Sequence, residues 1–239
     1  MGRVVTFSQA PAKPAAEGVE QAPITIGDTR EMEAELVRIA PGKRWRAAVP
    51  RGSDCYLFVL SGSAQIAAGA ARHSLAPQSF AAVEEENEFA IENDGSAPAE
   101  LVKVVAPPRP NGRQGFRGPI HVAARTTAPT ADVPQEKKKR IYFVDDAAAR
   151  SERGHAMIVE YGKDTVTGLH HHPNAESLFV VLDGALAFTV NGALVVVKPG
   201  EAAYFGCDDP HGLRVADGFA AASFLEFHIP AAYTTVKHT

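Results

Sequence analysis

The sequence predicts an all-β protein made of two tandem copies of one sandwich- or barrel-like domain, and three observations lead there. Turn formers are spread through the chain, with 20 Gly and 17 Pro arranged in short clusters, so no ordered stretch can run long. The stretches between them, such as YLFVL and SLFVVL, read as short strands with little helical periodicity. Most informative, the chain matches itself at a fixed offset of 122 residues, the mark of an internal repeat.

Taken in order, residues 1–23 read as an N-terminal arm that packs on a neighbouring copy or chain, and residues 24–108 as the first domain. EAELVRIA (33–40) falls on HAMIVEYG (155–162), and DCYLFVLSG (54–62) falls on ESLFVVLDG (176–184). Each of the latter pair turns back into a further strand, AQIAA after Ser61-Gly62 and ALAFTV after Asp183-Gly184, and an Asp-Gly pair suits a tight hairpin. LAPQSFAAV (75–83) then falls on VKPGEAAYF (197–205) with Pro77 on Pro199, and VVAPP (104–108) on EFHIP (226–230) with Pro108 on Pro230. Four matches in one register indicate duplication, and strands this closely spaced imply a sandwich or barrel. Residues 109–140 read as a surface connector rich in Pro, Gly, Arg and Lys, with one short strand at IHVAA. Its basic end, Lys137 to Arg140, is expected to be solvated rather than part of a binding patch. Residues 141–239 form the second domain.

Composition excludes several function classes. Hydrophobic residues at 45% and charged residues at 22% are ordinary for a globular chain rather than a disordered one. A net charge of -4 gives no electrostatic reason to expect nucleic acid or an anionic membrane as partner. No apolar run is long enough to span a bilayer, and the N-terminus lacks the apolar core of a signal peptide. Cys55 and Cys207 form no CxxC, so a reducing cytoplasm is the expected location. A homodimer is expected, because exposed sheet edges and the arm need cover.

The chemistry concentrates in TGLHHHPNAESLFVVLDG (167–184). His170 and His172 stand two apart on a strand and project from one face. His211, from a strand across the barrel, can meet them in a concave interior. Three neutral imidazoles, with Glu176 as an optional fourth ligand, suit one divalent first-row ion: Fe, Mn, Ni, Cu or Zn. Three or four protein ligands leave coordination positions open for a small-molecule substrate. His171 alternates to the other face, and His155 and His228 fit no ligand spacing and are read as structural. The first copy is an internal control: Ala48, Pro50 and Phe89 stand where the second has His170, His172 and His211, and only Asp54 answers Glu176. A lone carboxylate cannot hold a transition metal, so the first domain is expected to be metal-free.

These residues resemble the cupin superfamily, and the duplication resembles a bicupin whose metal motif lies only in the C-terminal copy. The resemblance rests on His170-x-His172, Glu176, Gly184, then KPGEAAYFGCDDPHGLRV with His211. It implies two tandem jelly-roll, or double-stranded β-helix, barrels. For function it implies a metal-dependent enzyme of the dioxygenase type, with Glu176 as a catalytic residue able to shift between ligand and base. Ureidoglycine aminohydrolases share the ligand spacing but use a Glu-x-His and a Gln where this chain has His170 and His211, which ranks a hydrolase lower. Metal-assisted isomerases and lyases, and non-catalytic ligand-binding bicupins, fit the same motif. Tyr161, Arg214, Tyr204 and Glu226 are the candidate substrate anchors. The chain departs from the family pattern at one telling place: seven residues, not six, separate Glu176 from Gly184. Counting back from the glycine places Ser177 at the carboxylate position. Strand alternation lets only one of Glu176 and Ser177 face inward unless a bulge intervenes.

Overall fold

The computed structural model describes residues 1–25, 29–107, 119–145 and 148–238. Pro108 and the first part of the connector, 109–118, lie outside the described residues. Two short 3-10 helices are the only helical elements among them, and no helix is long and apolar enough to cross a membrane.

In the first half the strands are β1 (Arg3–Thr6), β2 (Lys13–Ala16), β3 (Val19–Pro23), β4 (Glu33–Ile39), β5 (Arg44–Ala48), β6 (Asp54–Ser61), β7 (Ala64–Ala68), β8 (Ala71–Leu75), β9 (Ser79–Val83), β10 (Glu88–Glu92), β11 (Ala99–Ala106) and β12 (Ile120–Ala124). The second half adds β13 (Thr130–Val133), β14 (Lys138–Val144), β15 (His155–Gly162), β16 (Val166–His171), β17 (Glu176–Gly184) and β18 (Leu186–Val190). It ends with β19 (Ala193–Val197), β20 (Glu201–Phe205), β21 (His211–Val215), β22 (Ala221–Ile229) and β23 (Val236–Lys237).

These strands build four sheets stacked as two barrels. The first barrel pairs the sheet β12-β9-β6-β11-β4-β3-β2 with β5-β10-β7-β8, and the second pairs β1-β20-β17-β22-β15-β14-β13 with β19-β18-β21-β16-β23. Each central strand is buried on both faces, which explains why SLFVVL and YLFVL read as continuous apolar runs instead of alternating ones. In β17, Phe179 and Val181 enter the core of the second barrel, whereas Leu178 and Val180 join a separate core between the barrels. That shared core includes Tyr56, Phe58 and Phe80 of the first barrel, and Phe80 stacks on Phe143 at 4.8 Å. An aromatic contact of this kind adds roughly 0.5–1.5 kcal/mol beyond its buried area.

The two long sheets repeat each other strand for strand, and the repeat includes an exchange of edges. β1 pairs not with its own half but with β20 of the second barrel, and β12 pairs with β9 of the first. The first residues of the chain therefore complete the second barrel. The glycines aligned by the repeat, Gly62 and Gly184, both adopt positive φ, +75° and +70°. A Cβ at Gly184 would stand 2.3 Å from the Ala221 carbonyl oxygen, so only glycine fits there.

A second reciprocity lies between the barrels. Asp54 at the head of β6 accepts hydrogen bonds from Tyr56 (2.8 Å) and Ser151 (2.6 Å) and pairs with Arg153 (2.8 Å), in the segment leading into the second barrel. Glu176 at the head of β17 accepts from the backbone N–H groups of Arg30 (2.7 Å), Glu31 (3.1 Å) and Met32 (3.0 Å), in the segment leading into the first. Each barrel thus grips the entry strand of the other through the carboxylate that the repeat aligns.

Candidate metal centre

β16 carries His170, and the chain continues to His172 just past its end. β21 opens with His211, and the ladder between the two strands places His170 opposite His211. The three rings converge with centroids 4.4 to 5.3 Å apart, and one ligand nitrogen from each lies within 4.8 Å of the others. They are the one such cluster of potential metal ligands among the described residues.

The hydrogen bonds fix which nitrogen faces inward. Nδ1–H donates to a backbone carbonyl in every case: Gly168 for His170, Thr234 for His172 and Asp209 for His211, each at 2.9 Å. This leaves the Nε2 lone pairs to converge. Nε2 of His172 and of His211 is buried without any hydrogen-bond partner, which is costly unless something else binds there. Burial pushes the His211 imidazole down to about 3; burial, then the charge of His228, brings His172 to about 4, and burial lowers His170 too. All three are neutral at neutral pH, with the tautomer a metal needs already set. The donor set fits a divalent transition ion.

Glu176 does not join them, which corrects the expected fourth ligand. It lies on the even face of β17 with Leu178 and Val180, turned toward the first barrel, and its oxygens are taken by three backbone N–H groups. Its charge, after burial, also pushes the Tyr204 phenol far up. Ser177 is the residue that faces inward, its Oγ 2.9 Å from His228 Nδ1. Of the two ways of counting the motif, the one that runs back from the glycine matches the strand's geometry.

The histidines open onto a cavity of about 380 Å³. Its lining corrects two further expectations. His155 and His228 are not remote structural residues. They lie opposite each other in the β15–β22 ladder, and His228 touches His172, with ring centroids 4.9 Å apart. His228 Nε2 donates to Glu226 at 2.5 Å, and His155 Nε2 lies 3.0 Å from Asp145. Burial alone would raise the Glu226 carboxyl, but the His228 contact outweighs it and holds Glu226 below the usual range. The basic run is likewise not a solvated end, because Lys138 and Arg140 lie on β14 and line the cavity. Of the candidate anchors, Tyr161 and Glu226 line it as well, whereas Tyr204 packs between the barrels and Arg214 pairs with exposed Asp217. His171 turns away as expected and meets His238 at 2.8 Å.

The repeat gave no usable trace of the missed residues. At the fixed offset Glu226 and His228 fall on Val104 and Ala106. The strand pairing slips that offset by one on this strand, so their counterparts are Lys103 and Val105, whereas Val104 and Ala106 face the core between the barrels. The C-terminal segment gave no signal either. Tyr233 stacks on His228 at 4.2 Å, the Thr234 carbonyl orients His172, and β23 pairs beside His170.

A family model described as a cupin domain matches residues 157–228, from β15 through β22, and so contains all three histidines. Among solved structures, a putative glyoxylate-induced protein from Pseudomonas aeruginosa superposes with a TM-score of 0.75 at 16% identity, over 100% of this chain and 90% of that one. Protein Ylba from E. coli gives 0.76 at 11%, over 95% and 90%. An oxalate decarboxylase from Lactobacillus farciminis, solved as a formate complex, gives 0.72 at 14%, over 98% and 88%. At these identities the likeness is one of fold. No curated protein matches the chain in sequence. The second barrel, which holds the histidines, is thus a cupin domain over residues 157–228, and the paired barrels as a whole share the fold of these solved structures.

Proposed function

We propose that the second barrel is the active site of a mononuclear metal-dependent enzyme acting on a small molecule, in a dioxygenase-type oxidation. The observation that carries this reading is the set of three Nε2 atoms, two of them buried and unpartnered, converging beside a half-open cavity. His170, His172 and His211 would hold the ion. With Glu176 committed elsewhere, three histidines alone leave enough open positions for a bidentate substrate together with oxygen. A redox-active divalent ion bound there supplies Lewis-acid polarisation and electron transfer.

The chain's own residues do the rest. Phe179, Leu213 and Val159 wall the cavity and limit water, which strengthens each polar contact inside it. His228 is fixed beside His172 by Glu226 at Nε2 and by the Ser177 hydroxyl at Nδ1, and it would exchange a proton with a bound substrate only by giving up the Ser177 contact. Tyr233, stacked on His228, keeps that imidazole in place.

The test is metal analysis of protein purified without chelator, beside His172→Ala, followed by oxygen uptake with 1,3-dicarbonyls, enols and catechols. About one equivalent of Fe, Mn, Ni or Cu, lost in the variant, together with oxygen consumption, supports the reading; absence of metal sinks it. The two histidine–carboxylate pairs favour a second reading, a metal-assisted isomerase or lyase, because they equip the cavity for proton transfer that needs no oxidant. Turnover that persists without oxygen would select it.

A further inference from the structure

The cavity carries an uneven set of charges. Its two carboxylates are both engaged, Asp145 with His155 and Glu226 with His228. Its two full cations are not balanced in the same way. Lys138 Nζ donates to Thr167 Oγ1 at 3.2 Å, lies over the Tyr161 ring at 5.2 Å, and pairs at 3.1 Å with Glu136, a residue whose side chain is half exposed. Arg140, half-buried two residues further along β14, has no hydrogen bond or ion pair among the described residues.

Strand alternation places Lys138, Arg140 and Tyr142 on one face of β14, about 6–7 Å apart in succession. All three line the same cavity as the histidines. Thr167, the residue that ties Lys138 to the opposite sheet, sits on β16 three positions before His170. The cations therefore flank the strand that delivers the metal ligands. The barrel architecture does not require cations there, because the strand pairing puts Val19 and Gln21 of β3 at the corresponding positions of the first copy. A half-buried guanidinium that feels the half-exposed Glu136 carboxylate but pairs directly with none keeps its planar fork free, and that fork matches a carboxylate with two parallel N–H···O bonds.

We propose that the substrate of this site is a small organic acid whose carboxylate is held by Arg140, with Lys138 as the second cation. The inference rests on the reading of the second barrel as a metal-dependent small-molecule site and adds the class of molecule it takes. A cavity of about 380 Å³ lies within the range for small-molecule sites, which suits a small organic acid rather than a polymer.

The test compares two β-dicarbonyl probes of nearly equal size, acetoacetate and neutral acetylacetone, by calorimetric titration into wild type and Arg140→Gln, each loaded with Mn(II) and metal-free. Arg140 makes no internal bond, so the variant should fold as the wild type does, which a thermal melt verifies. Acetoacetate binding at least about tenfold more tightly than acetylacetone to loaded wild type, with the difference lost in Arg140→Gln, supports the proposal. Equal binding of the two probes, binding of neither to loaded protein, or a preference that survives Arg140→Gln overturns it while leaving the metal site intact. A preference that needs Arg140 but appears in protein unable to bind metal supports the acid anchor and refutes the reading beneath it. The two failures are thereby distinguishable.

Discussion

Glu176 gives the sharpest test of the architecture, because two accounts of it predict opposite results. As a metal ligand, its loss would weaken metal binding and leave the fold largely unharmed. As the clamp seen here, its loss would weaken the fold and spare the metal. The magnitude follows from its three partners. The Met32 N–H is fully buried, and left unpaired it costs about 1–3 kcal/mol. The Arg30 and Glu31 donors are only partly buried and can recover water, so each loses about 0.5–1.5 kcal/mol. Glu176→Ala should therefore cost about 2–6 kcal/mol, a large share of the ~5–15 kcal/mol that stabilises a domain. Urea unfolding reads that loss, and metal per chain is measured on the same sample under native conditions. A Glu176→Ala protein within about 0.5 kcal/mol of wild type that has lost its metal would refute the reasoning, since the carboxylate would then have to reach the histidines in solution.

The reciprocal clamp predicts that Arg153→Ala costs about 3–5 kcal/mol, because it leaves fully buried Asp54 without its counter-ion; a wild-type urea midpoint would contradict this. Removing residues 231–239 takes away the carbonyl that orients His172 and should weaken metal binding about 10–100-fold, measured by competition with a chelator. Metal-free protein should lose stability as pH falls. His172 and His211 have folded values near 4 and 3 against an ordinary 6.5, so the unfolded chain binds protons that the folded one refuses. Their contribution is intact above about pH 6.5 and declines as pH falls toward those lower values. A melting temperature that stays flat from pH 7 to pH 4.5 would count against it.

The duplication was legible in the sequence because each repeated strand is buried on both faces, and a buried strand tolerates only a narrow set of residues. The three histidines were legible because His170 on β16 and His172 just past its end keep the period of two that a sheet imposes. Glu176 was misread for the same reason that the strands were read well. Period two says that neighbours face opposite ways, but not which neighbour faces in. The shared core of Leu178 and Val180 with Tyr56 and Phe58 decides it, and that packing is a property of the second barrel against the first. The basic run was misread because charge density alone does not reveal alternation: Lys138 and Arg140 share one face of β14 and turn into the cavity. The arm and the IHVAA strand were legible as elements, but their partners were not, since β1 pairs with β20 about 200 residues away and β12, within the connector, pairs back with β9.

The comparison of the two barrels shows where function was added to a common scaffold. In the first, Phe89 stands at the place of His211 and packs edge-on against Trp45 at 5.5 Å, with 3% of its surface exposed. Aromatic packing there completes a core, and Leu101 and Val105 continue it on β11. In the second, the same strands carry His211, Glu226 and His228, so apolar contact is given up in exchange for a polar cavity. Buried polar groups of this kind are tolerable only when each has a partner, and the pairs His228–Glu226 and His155–Asp145 and the carbonyl acceptors of the three ligand histidines provide them. The unsatisfied atoms that remain there include Nε2 of His172 and His211, which point where an ion would sit. The second barrel also gains a strand, β23, which has no counterpart among the described residues of the first and lies beside His170. A cavity this polar is a net cost to the fold, and the first barrel, tied to it by the buried core and by two reciprocal carboxylates, supplies the rigidity that lets the second keep it.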